Sequence, residues 1–142
     1  MALTTEAKRE LLATTELFAG ADAASLHLLA ERTVEADLPA GYVLVRQGED
    51  GTGLFLIVSG GVRVVHDGGT VARLGPGEVV GELAVLDRQP RAAQVVTDEP
   101  TVCLALAAWD LEAVIRGQPE VALSLLRVLS RRLREAGRSH HH

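Results

Sequence analysis

The sequence predicts a mainly β fold: an eight-stranded antiparallel β-roll of the jelly-roll kind, with N-terminal helices before it and two C-terminal helices after it. Three observations predict this. Between Thr33 and Ala107, short β-prone runs alternate with glycine-rich turns at the spacing of a sandwich or barrel. Before and after that region, apolar residues recur at helical intervals. The chain has 142 residues, 47% hydrophobic composition and a net charge of −5, which suits one domain over residues 1–137 with a core of its own.

The elements follow in order. Residues 5–18 carry Ala7, Leu11, Leu12 and Leu17 among charges, a broken amphipathic pattern that predicts one short helix, stopped at Ala19-Gly20. Asp22 is placed to cap a second helix, whose Leu26, Leu29 and Ala30 fall at i, i+3 and i+4 and face a core. These helices occupy residues 1–32. The β-roll occupies 33–107, with strands predicted at 33–38, 42–46, 54–59, 62–66, 70–74, 78–80, 93–97 and 101–107. Turns fall at Pro39-Ala40-Gly41, between Gly48 and Gly53, and at Ser59-Gly60-Gly61, Asp67-Gly68-Gly69 and Gly75-Pro76-Gly77. Over 108–137 the helical period returns: Asp110 is read as the cap of a helix ending at Gly117, and Pro119 as a first-turn residue of the last helix. In that helix Ala122, Leu126, Leu129, Leu133 and Ala136 form an a/d seam, which packs either on the roll or on a second copy of the chain. The terminal residues 138–142 (RSHHH) read as a vector-derived tag.

Several function classes are unsupported. The single cysteine, Cys103, lies in an apolar run, where it reads as a core residue, and it cannot form an internal disulfide. No run approaches the roughly 18–20 apolar residues of a membrane span, and the N-terminus lacks a signal-peptide pattern, so a cytoplasmic protein without membrane contact is expected. Outside the tag only His27 and His66 are available, too few and too scattered for a metal centre, haem or an iron–sulfur cluster. Residues 75–81 match a dinucleotide fingerprint only loosely, and no phosphate-binding GxxxxGK[ST] loop or nucleophile–base set is present. No catalytic residues, metal or cofactor are therefore expected, and the chain reads as a non-enzyme. The negative charge and the lack of a helix-turn-helix after the last helix argue against direct nucleic-acid binding, leaving Arg127, Arg131, Arg132 and Arg134 as a solvated helix face.

What remains is the stretch GEVVGELAVLDRQPRAAQVV, residues 77–96, which interrupts the strand pattern. Gly81 permits close backbone approach, and Leu83-Ala84-Val85-Leu86 is long enough for one helical turn whose first amides favour an anion. Pro90 fixes the chain entering Arg91, whose planar guanidinium can grip two phosphate oxygens. Glu82, an acceptor when ionised, suits a ribose hydroxyl. One phosphate and one ribose hydroxyl held close together describe a 3′,5′-cyclic nucleotide.

Gly81-Glu82-Leu83-Ala84 followed by Pro90-Arg91-Ala92-Ala93, together with Gly41, Gly48, Gly60 and Gly77 at the turns, resembles the phosphate-binding cassette and roll of the cyclic-nucleotide-binding domain family over about residues 17–136. That family's regulatory domains occur in kinase regulatory subunits, bacterial catabolite activators and gated channels. The resemblance implies that Glu82 binds the ribose 2′-OH and Arg91 the cyclic phosphate, with backbone amides near Leu83, Ala84 and Ala92 completing the cradle and Ala93 closing the motif. Alanine at 92, where a threonine can favour cGMP, leans toward cAMP, with cGMP as the other candidate. Val64, Leu74 and Val79 are expected as apolar contacts for the purine. Leu133, or the aliphatic stems of Arg131, Arg132 and Arg134, are expected to cover the base. The implied function is a cyclic-nucleotide sensor that moves its C-terminal helix to regulate an effector domain or partner protein outside this chain. The alternative is a nucleotide-unresponsive roll acting as an interaction module, with a homodimer through 122–136.

Overall fold

In the computed structural model, residues 2–49, 53–81, 90–91 and 93–139 are described. The elements are α1 (Thr5–Thr14), α2 (Ala23–Arg32), β1 (Val34–Leu38), β2 (Val43–Val45), β3 (Gly53–Ser59), β4 (Val62–His66), β5 (Gly69–Leu74), β6 (Val79–Val80), β7 (Gln94–Thr97), β8 (Thr101–Ala107), α3 (Ala108–Gly117) and α4 (Pro119–Ser139). The strands form two four-stranded antiparallel sheets, ordered β1-β8-β3-β6 and β2-β7-β4-β5. This is the predicted roll with helices on either side.

Local chemistry explains the boundaries. Thr4 caps α1 by accepting from the Ala7 amide, and Asp22 Oδ1 caps α2 by accepting from the Ser25 amide at 2.8 Å. The first helix stops at Thr14, four residues short of the predicted end. The Thr15 hydroxyl donates back to Leu12 O at 2.7 Å and accepts from the Phe18 amide at 3.1 Å, so it diverts the backbone into a turn. Strand β4 meets β5 through a two-residue turn in which Asp67 has φ 49° and Gly68 φ 84°, the backbone that an Asp-Gly pair favours. At the end of this hairpin, Asp98 binds Arg63 (2.5 Å) and Arg73 (3.4 Å), tying β4 and β5 to the residue that follows β7. Glu78 lies outside β6: its carboxylate accepts from the Gly75 amide at 2.7 Å and closes the turn instead.

One expectation about the C-terminal helices needs correcting. Asp110 does not cap α3, which begins directly after β8 with Ala107 at the cap position and no side-chain cap. The chain passes from strand to helix without a loop, so Asp110 falls in the first turn, where it binds Arg32 at 2.8 Å and an acid is favoured by the helix dipole.

Two apolar clusters result. Between the first sheet and the helices lie Leu12, Leu17, Phe18, Leu29, Leu54, Leu56, Leu104, Leu106, Leu111, Val121, Leu125 and Val128, among others. Between the two sheets lie Val45, Ile57, Val62, Val80 and Val95. Strand alternation assigns the sides: Leu54 and Leu56 of β3 join the helical cluster, whereas Phe55 and Ile57 join the roll interior. Among the described residues no helix is long and apolar enough to cross a membrane.

Candidate functional site

The site is built at one end of the β3–β6 ladder. Phe55 pairs with Val80 in that ladder, and Gly81 follows at once with φ 86°, a backbone that side-chain-bearing residues rarely adopt. The bend is occupied: a Cβ at position 81 would overlap Arg91 Nη1. Glycine is therefore required twice over, for its dihedral angle and for the guanidinium packed on it.

Arg91 is 7% exposed. Its Nη1 donates to Gly81 O at 2.9 Å and its Nη2 to Gly53 O at 2.5 Å, so the guanidinium spans the open ends of β6 and β3. Its main chain is braced from the other sheet, because the Arg91 amide donates to Glu49 O at 2.7 Å and the Gly48 amide donates to Arg91 O at 2.9 Å. Gly48 and Glu49 lie in the turn after β2. One residue thus joins both sheets at this end of the roll, and a buried cation is held in a fixed plane by carbonyl dipoles.

The structure brings Gly81 and Arg91 into direct contact, with Ala93 two residues beyond the cation, just before β7. Glu82, Leu83, Ala84 and Ala92 lie outside the described residues. Of the expected purine contacts, Val64 and Leu74 pack on the roll-interior cluster. Val79 packs on the opposite side of its sheet, against the helical cluster, while its neighbour Val80 faces the interior. Gln94, next to the motif, pairs with Val65, and Val95 pairs with the interior residue Val64, so Gln94 sits on the outer face of the second sheet. The expected cover residues are not gathered over the roll. Leu133 is 75% exposed, Arg134 and Arg131 line an outward groove of about 590 Å³ with Leu123, Leu126 and Arg127, and Arg132 lies against Glu16.

Gly53, Glu49 and Gly48 were not anticipated as parts of the site. They act through backbone groups, so side-chain chemistry gives no signal; the glycine-bounded loop between β2 and β3 is the only trace in the sequence. Phe55 was also not anticipated. Its place on the interior side of β3, beside Val80, follows only from the register.

A β-roll whose two sheets are joined at one end by a buried arginine is the class that this arrangement defines. The chain belongs to the cyclic nucleotide-binding domain family, whose pattern matches residues 35–118. It is 47% identical over 103 residues to the cyclic AMP receptor protein of Thermus thermophilus, an overlap of 69% of this chain and 48% of that protein. It is 32% identical over 130 residues to a CRP-like cAMP-activated global transcriptional regulator of Mycobacterium tuberculosis, covering 88% of this chain and 58% of the relative. The chain thus spans about half the length of these curated relatives. Among solved structures, the N-terminal domain of a transcriptional regulator from Streptomyces coelicolor superposes with a TM-score of 0.79 at 33% identity, covering 91% of this chain and 93% of that one.

Proposed function

We propose that the chain is a sensor module that binds cAMP in preference to cGMP and performs no chemistry of its own, working in the cytoplasm. The observation that carries this reading is the buried Arg91 guanidinium, fixed by the carbonyls of Gly53 and Gly81 at the edge of the roll interior. In the proposed complex, the cyclic phosphate docks on Arg91 and on the amides of residues 83, 84 and 92, while Glu82 accepts from the ribose 2′-OH. The purine lies over Val64 and Leu74. Ala92 and the printed names of the relatives, a cyclic AMP receptor and a cAMP-activated regulator, support adenine over guanine.

Binding becomes output if the nucleotide prefers one position of α4. Ligand contacts at Arg91 then shift the helical layer against the roll, because only a difference in affinity between two states moves an equilibrium. The effector is a further domain or a partner protein, and this segment makes no contact with nucleic acid or membrane. A second observation favours self-association: none of the seam residues Ala122, Leu126, Leu129, Leu133 and Ala136 is buried, and Leu126 is 59% exposed. We assign it to a homodimer contact through 122–136.

Arg91→Ala tests the reading. Loss of a charge-assisted, two-pronged contact is expected to weaken cAMP binding by at least about 100-fold in titration calorimetry. Circular dichroism on the same sample confirms that the roll is folded, and an unchanged affinity in a folded variant overturns the assignment of the site.

A further inference from the structure

One short segment grips the last helix at two heights. Glu16 Oε1 lies 3.5 Å from Arg131 Nη2 and accepts from Arg132 Nε at 3.4 Å. Four residues on, Gly20 approaches α4 so closely that a Cβ there would meet Ser124 Oγ at 3.0 Å. Between them Leu17 and Phe18 are buried in the same cluster as Val121, Leu125 and Val128. The segment 16–20 therefore spans α4 from Ser124 to Arg132, about 12 Å along the axis. The two ends of this grip differ in kind. The lower one is apolar packing, which ends at Val128: none of residues 129–137 is buried. The upper one is a carboxylate shared by two guanidinium groups at half-exposed positions, which salt screens and water competes with.

We propose that Glu16 is an electrostatic latch that holds the distal half of α4 against the N-terminal helical layer and so sets how readily the module takes up nucleotide. The coupling to nucleotide rests on the sensor reading given above. Where Glu16 holds the helix, Leu133 stays three-quarters exposed, so a helix that closes over a bound nucleotide must first leave the latch. The latch lowers the fraction of chains able to close, and apparent affinity falls by that fraction. Releasing it therefore tightens binding, and by reciprocity the nucleotide weakens the latch.

Hydrogen exchange measured by mass spectrometry over residues 129–137, without nucleotide, tests the latch directly. Glu16→Gln is expected to exchange about two- to five-fold faster at low salt, the range set by exposed ion pairs. At about 1 M salt, where screening acts over roughly 3 Å, the difference is expected to vanish. In an Arg131→Gln/Arg132→Gln background, Glu16→Gln is expected to add nothing. Equal exchange in wild type and Glu16→Gln at low salt overturns the latch, as does a difference that survives high salt or the double-arginine background. Calorimetry with cAMP then tests the coupling: Glu16→Gln is expected to bind about two- to five-fold more tightly. A wild type that binds with a variant that binds no better overturns the regulatory role. A wild type that binds neither nucleotide removes the sensor reading, and the latch is then decided by the exchange arm alone.

Discussion

The smallest unit that explains the site is the pair Gly81 and Arg91. The glycine supplies a left-handed bend with no Cβ, and the guanidinium fills the space that a Cβ would need. Gly81→Ala is therefore expected to cost about 1–3 kcal/mol of stability from backbone strain and to push Arg91 off the carbonyl of residue 81. Thermal unfolding reads the first effect and nucleotide titration the second; a variant with wild-type affinity would contradict the packing argument. Motif chemistry marked both residues, yet the backbone groups of Gly53, Glu49 and Gly48 that hold Arg91 were illegible, because every residue type carries a carbonyl and an amide. Cys103 makes a separate prediction. Burial, with the charge of Asp37 adding to it, pushes its thiol up to about 11 from an ordinary 9.0. The unfolded chain loses this proton first, so stability is expected to fall as pH rises from 9.0 through about 11 and to show no contribution from this thiol below. At pH 8 a disulfide reagent should label no thiol in the native protein and one after denaturation, and rapid native labelling would contradict the buried placement.

At the scale of the element, α4 is the informative case, since it carries two apolar stripes one residue apart. Val121, Leu125 and Val128, at i, i+4 and i+7, face the core, while Ala122, Leu126, Leu129 and Leu133 form the seam read from the sequence. Only the seam was read from the sequence; the stripe that turns inward was not, because that depends on how α3 and the 16–20 segment aim the helix. Leu125→Ala is expected to cost about 2–4 kcal/mol by opening a cavity. Leu126→Glu combined with Leu133→Glu is expected to leave stability within about 0.5 kcal/mol per site and to convert a dimer to a monomer in sedimentation equilibrium. Destabilisation by the seam pair, or unchanged association, would contradict the assignment of the two stripes. Strands were read more reliably than caps. The Asp67-Gly68 turn fixes its hairpin by local dihedral preference, whereas Asp110 answers to a nonlocal demand, its pairing with Arg32, and Thr15 ends α1 through its own hydroxyl, which apolar spacing does not record.

At the scale of the molecule, two packed interiors divide the labour. The cluster between sheet and helices holds the N-terminal segment, α3 and the first half of α4 in register, and the smaller cluster packs the two sheets of the roll on each other. Glycine spacing made the roll legible, and together with the 77–96 motif it made the family legible. The same pattern could not distinguish Val79 from Val80, because a two-residue strand flanked by turns has no alternation long enough to fix its facing. Arg91 is the joint between these levels: its main chain braces one sheet, its side chain the other, and its charge is what a cyclic phosphate would meet. Titration calorimetry of the chain with cAMP and then with cGMP tests this account most directly. Saturable heat with one nucleotide per chain, tighter for cAMP, is the predicted result; no heat from either at about millimolar concentration, where even a binding free energy of about −4 kcal/mol would show, would contradict it.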